Sequence, residues 1–181
     1  MVAFPAKLGR GLDAERIDEW LAQLGLSPIE REEREGATSW DLLLDSRKRR
    51  GVRVTLILDP EVALVAWVHL APPISDNFRK TYRQLLRWND ELPFAKFAVS
   101  VDERPILTLE LPMAAGLDLD TVGRLLARAL AITDLIHDES MALMGELRRR
   151  QLRIDAEREG DAAGVALLER YASDLAELNS R

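Results

Sequence analysis

The chain has 181 residues, a formal net charge of −6, 47% hydrophobic and 31% charged residues, and no cysteine. That length suits one domain with an appendage, and the composition is too apolar for a disordered chain. Disulfides, thiol nucleophiles and cysteine metal sites are excluded, and the acidic balance argues against a dedicated nucleic-acid binder. Residues 1–10 carry no apolar core of a signal peptide. The longest apolar run, residues 62–68, is far short of a membrane span, so a cytoplasmic location is expected.

Asp13 is placed to cap a helix whose apolar face is Ile17, Trp20, Leu21 and Leu24, with Gly25 and Pro28 as stop signals. Residues 30–35 are densely charged and read as a solvated connection. Three strands follow. Thr38, Trp40, Leu42 and Leu44 alternate with polar neighbours in the first, and Val52, Val54, Leu56 and Leu58 do so in the second. The third, residues 62–70, is apolar on both faces, which predicts a central position or a covered second face. Pro72-Pro73 ends it. Ser75 or Asp76 is expected to cap the next helix, with Phe78, Tyr82, Leu85 and Leu86 as its apolar face and Leu92-Pro93 as its end. A hairpin comes next, with Phe97, Val99 and Val101 before a turn at residues 102–105 and Leu107, Leu109 and Leu111 after it.

Asp118 or Asp120 opens a long helix. Leu119, Val122, Leu126, Ala129, Thr133, Ile136 and Leu143 take the 3- and 4-residue steps of a coiled-coil seam, and Leu125 and Ile132 widen the stripe. Residues 148–159 are almost wholly charged. Gly160 and Gly164 interrupt them before a final amphipathic helix with Val165, Leu168, Ala172 and Leu175. The prediction is an α+β fold in the order α-βββ-α-ββ-α. It has a five-stranded, mainly antiparallel sheet over residues 1–145 and a helical extension over residues 146–181.

The stretch LLRWNDELPFAKFAVSVDERPILTLELPM, residues 85–113, is followed by GLDLDTVGRLLARAL, residues 116–130. A helix ends in aromatic-Asn, Lys-Phe opens a hairpin, and the return strand closes on Leu-Pro. This pattern resembles the YbjN family, a sensory-transduction-regulator-like group sharing its fold with type III secretion chaperones. The likeness spans about residues 10–145. It implies an α+β sandwich with helices on one face of a twisted antiparallel sheet, usually dimeric and acting through protein contacts. It implies no catalytic residue.

The residues agree on that last point. No serine lies in a Gly-x-Ser-x-Gly turn, and Gly9-Arg10-Gly11 lacks the ending of a phosphate loop. Asp118 and Asp120 are explained as helix-start charges. Asp134 and His137 share a helix face but lack further metal ligands. No enzyme, cofactor or metal is therefore expected. Two basic clusters stand out: Arg47, Lys48, Arg49 and Arg50 between the first two strands, and Arg79, Lys80, Arg83 and Arg87 on the middle helix. The expected function is a non-enzymatic, chaperone-like or adaptor module, a homodimer binding a client protein. Its candidate contacts are Trp40, Trp67, Arg79, Arg83, Arg87, Val165, Leu168 and Leu175, although core packing competes as an account of both tryptophans. The alternative is a nucleic-acid-associated factor contacting phosphates through Arg47, Lys48, Arg49, Arg50 and the residue 79–87 cluster. A ligand carrier with a cleft between sheet and helices is the third reading.

Overall fold

Helix α1 (Ala14–Gln23) starts at a capped turn, where the Asp13 carboxylate accepts from the Arg16 backbone N–H at 2.9 Å. Ile17, Trp20 and Leu21 form its buried stripe, and Gly25, at φ +74°, supplies the left-handed turn that ends it. The computed structural model describes residues 11–75, 77–156 and 162–179.

Six strands form one sheet, all paired antiparallel: β1 (Glu30–Arg34), β2 (Ala37–Leu44), β3 (Val52–Asp59), β4 (Ala63–His69), β5 (Lys96–Val99) and β6 (Pro105–Pro112). Their spatial order is β1-β2-β3-β4-β6-β5. The first four make a meander. The chain then leaves the sheet through α2 (Phe78–Glu91), so β6 returns beside β4 and β5 becomes the far edge.

The expected five strands become six because residues 30–34 are a strand and not a solvated connection. Every residue of β1 is charged, so no apolar alternation marks it. It needs none, because an edge strand open to water can pair its backbone with β2 without burying a face. Glu35 (φ +51°) and Gly36 (φ +86°) make the tight turn between the two strands, with the consecutive positive φ angles that suit a hairpin's twist. The Arg31 Nε–H donates to the Asp18 carboxylate, tying this edge to α1.

One sheet face is the core. Trp40, Leu42, Leu44, Val54, Leu56, Leu64, Val68, Leu107 and Leu109 all point there and are buried. Helix α3 (Leu119–Leu135), capped by Asp118, packs against β4 and β6, and α6 (Ala163–Arg170) packs against α3 and β2. The seam-like stripe of α3 is buried inside this same chain: Val122, Leu126, Ala129 and Ile132 are fully covered. The predicted long helix also breaks at Ile136, whose backbone leaves helical geometry, and α4 (His137–Leu143) and α5 (Glu146–Ala156) follow. The final helix breaks at Tyr171, with α7 (Ala176–Asn179) beyond it. Gly164 lies inside α6 and interrupts nothing, whereas Gly160 falls outside the described residues.

Helix α2 departs from the expectation in its start and in its face. Asn77, at φ +53°, precedes it without a side-chain cap, Ser75 is not the cap, and Asp76 lies outside the described residues. Its buried side chains are Thr81, Leu85 and Trp88, while Phe78, Tyr82 and Leu86 are exposed.

The second sheet face carries no long helix. The strand register sets Leu43 beside Arg53 and Arg53 beside His69 in one row, and Asp41, Thr55, Trp67 and Thr108 in the next. Helix α5 lies by one end of this face. Its Leu152 packs with Ala71 and Met144, and the Arg148 Nη2–H donates to the Pro72 carbonyl at 3.2 Å.

Candidate functional site

Two rows of residues run along the exposed side of α2, each at four-residue spacing. Phe78, Tyr82 and Leu86 make an apolar row, and Arg79, Arg83 and Arg87 make a basic row beside it. Lys80 adds a fourth cation, and the basic side borders a groove of about 960 Å³ lined by Asn77, Phe78, Arg79, Lys80, Arg83 and Arg87. Arg87 pairs with Glu91 one turn on, and that hydrogen bond raises its guanidinium above the ordinary arginine value.

The rest of the fold holds this helix firmly. The Trp88 indole N–H donates to Glu139 of α4 at 2.8 Å, and Gln84 donates to the same carboxylate at 2.7 Å. Asn89 clamps β5 from both sides: its Nδ2–H donates to the Phe97 carbonyl at 3.0 Å and its Oδ1 accepts from the Phe97 N–H at 2.6 Å. Trp88 also packs on the Phe97 ring, with centroids 5.2 Å apart. The aromatic-Asn and Lys-Phe signals in the sequence are thus one structural joint. Exposed Phe78, Tyr82 and Leu86 take no part in it. Large apolar side chains in water on a helix anchored at Trp88 and Asn89 mark a surface suited to contact.

The other predicted site residues fare unevenly. Trp40 is 0% exposed and is no surface anchor: its indole N–H donates to Asp18 at 2.6 Å, and the Arg31 guanidinium sits over its ring. Trp67 stands on the second sheet face at 40% exposure. Leu168 and Leu175, at 1% and 5%, are spent on the chain's own core against α3, and Val165 is half-buried. These C-terminal residues pack home because Gly164 lets α6 lie directly on the β2 end.

The loop cluster does not make one phosphate-facing patch. Arg49 turns inward and donates to the carbonyls of Leu70 (2.6 Å) and His69 (3.4 Å); burial lowers its guanidinium to about 10. Lys48 pairs with Asp138 at 3.0 Å and holds that carboxyl below its ordinary value, while Arg47 and Arg50 are exposed. Asp134 fixes the loop by accepting from Ser46 Oγ and the backbone N–H groups of Arg47 and Lys48, at 2.7–3.1 Å. That occupation takes Asp134 away from His137. Among the described residues, no three His, Asp or Glu side chains gather as a metal-binding group.

Sequence reasoning missed a polar network on the second sheet face. Asp41 is buried and accepts from Arg53 and from Thr55 Oγ1, which also lies 3.3 Å from His69 Nε2. Burial, and then Arg53, push His69 below the ordinary histidine value. The period-two pattern of β3 was the available signal, since it puts Arg53 and Thr55 on one face.

This architecture defines an α+β module of an antiparallel sheet with helices packed mainly on one side. The chain belongs to the YbjN family, whose model, described as "Putative bacterial sensory transduction regulator", matches residues 13–140. The match runs from the α1 cap into α4, leaving α5, α6 and α7 outside it. No curated protein matches the chain. No described helix is long and apolar enough to cross a membrane.

Proposed function

We propose that this chain is a non-enzymatic regulatory module that binds a client protein through the exposed side of α2. The observation that carries this reading is the pair of parallel rows, Phe78–Tyr82–Leu86 and Arg79–Arg83–Arg87. Their chemistry fits an acidic amphipathic segment of a partner. Its apolar side chains would cover the first row and its carboxylates would meet the second. The description of the family as regulators supports a binding role over catalysis. The reading includes a homodimer, supported by the family resemblance, in the cytoplasm, as the N-terminal sequence suggests; light scattering on the full chain measures its mass.

The test is affinity capture from native lysate with the full chain and two variants, Phe78→Ser/Leu86→Ser and Arg79→Glu/Arg83→Glu, with and without nuclease. The expected result is a protein held by the parent chain, lost by both variants at unchanged melting temperature, and indifferent to nuclease. Capture emptied by nuclease would replace this reading with the nucleic-acid one. Equal capture by all three chains would remove α2 as the surface.

A further inference from the structure

The cavity that α2 does not explain lies between the second sheet face and α5. It holds about 490 Å³, within the roughly 300–1,000 Å³ of small-molecule sites. Three guanidiniums converge on it from separate elements: Arg49 from the β2–β3 loop, Arg53 from β3, and Arg104 from the β5–β6 loop. Against them, Asp155 of α5 is the one carboxylate in the lining among the described residues. Leu43, Leu152 and the Pro72-Pro73 pair supply apolar wall.

We infer that this cleft binds a small organic anion, with its oxyanion group among Arg49, Arg53 and Arg104 and its apolar part against Leu43 and Leu152.

Each arginine is already aimed before a ligand arrives. Arg53 is steadied by Asp41 beneath it in the sheet, Arg104 by Asp102 at 2.8 Å, and Arg49 by the two carbonyls at the end of β4. Orienting charged side chains in advance lowers the entropy cost of binding. Arg49 carries a second sign. Its Nε is buried without a hydrogen-bond partner among the described residues, and the adjoining Nη2 makes only the long 3.4 Å contact. Nε is sealed from the cleft, so Nη2 is the donor with hydrogen-bonding capacity left for an oxyanion. Asp155 attracts Arg49 without reaching it as an ion pair, so it acts as a tethered competitor for the same charge. The inference is independent of the α2 surface, and either can fail alone.

Isothermal titration calorimetry on the full chain tests it, with phenyl phosphate, benzoate, inorganic phosphate and neutral benzyl alcohol as probes. Phenyl phosphate or benzoate is expected to bind and benzyl alcohol is not; the stronger of the two anions identifies the oxyanion. Arg104→Gln should weaken binding by about 10-fold, as expected for one charged hydrogen bond. Asp155→Asn should tighten it by roughly 3-fold, as one nearby like charge is removed. Both positions are solvent-accessible, so these variants keep the test sound even where Arg53→Gln, which strands buried Asp41, fails to fold. Absence of saturation by either organic anion, or affinities unmoved by Arg104→Gln and Asp155→Asn, would overturn the inference. Inorganic phosphate binding as tightly as phenyl phosphate would overturn its organic part. An Asp/Glu-rich hexapeptide binding more tightly than either organic anion would reassign the cleft to a protein segment.

Discussion

A Cβ placed on Gly164 would lie 2.2 Å from the Asp45 carbonyl oxygen and 3.1 Å from the Asp45 nitrogen. Backbone cannot swing aside as a flexible side chain does. Gly164→Ala gains about 1 kcal/mol of helix propensity, but it must push α6 off the end of β2. We expect a net loss of roughly 1–3 kcal/mol in urea unfolding, the range for overpacked sites. His69 sets a different dependence. Its folded value is depressed below that of the unfolded chain, so the unfolded state takes up its proton first as pH falls. Stability is therefore full above about pH 6.5 and declines as pH drops from there to the folded value. Arg53 and Arg104 oppose the proton, whereas Asp41 and Asp102 favour it. Melting curves between about pH 7 and pH 5.5 read this step. His69→Gln should flatten the slope there.

At the scale of elements, α2 separates surface from core along one helix. Phe78→Ser/Leu86→Ser should leave stability within about 0.5 kcal/mol, as for exposed positions, while Trp88→Ala should cost roughly 3–5 kcal/mol. Denaturant midpoints for the two variants decide it. The same helix shows what the sequence could and could not reveal. Apolar spacing located α2 but assigned Phe78, Tyr82 and Leu86 to the core, because periodicity marks an apolar row without saying what covers it. Buried Thr81 carries no apolar signal at all. β2, β3, β4 and the β5–β6 hairpin were legible because each carries an unbroken row of apolar side chains for its dry face. β1 was not, since both its faces are wet and only the Glu35-Gly36 turn betrays it. The anion cleft was illegible for another reason. Arg49, Arg53, His69 and Arg104 meet only through strand register and loop placement, which no local pattern encodes.

Across the whole molecule, α6 and the described residues after it share the core of the sheet and α3. Leu167, Leu168, Tyr171, Leu175 and Leu178 all belong to the single large core cluster. At about 1.5–3 kcal/mol for each fully buried large side chain, their removal rivals the 5–15 kcal/mol that stabilises a domain. A chain ending at residue 145 should therefore lose its cooperative thermal transition and bind a hydrophobic dye. A sharp transition near that of the full chain would show that residues 1–145 stand alone.

The close seat of Gly164 on β2 also orders events while the protein is being made. The β1–β4 meander pairs neighbours in sequence and can form early, but part of its dry face waits for α6, far along the chain. Until residues 163–178 emerge, the β2 end of that face stays uncovered. A ribosome that stalls before α6 therefore releases a product whose uncovered apolar face quality-control proteases can recognise.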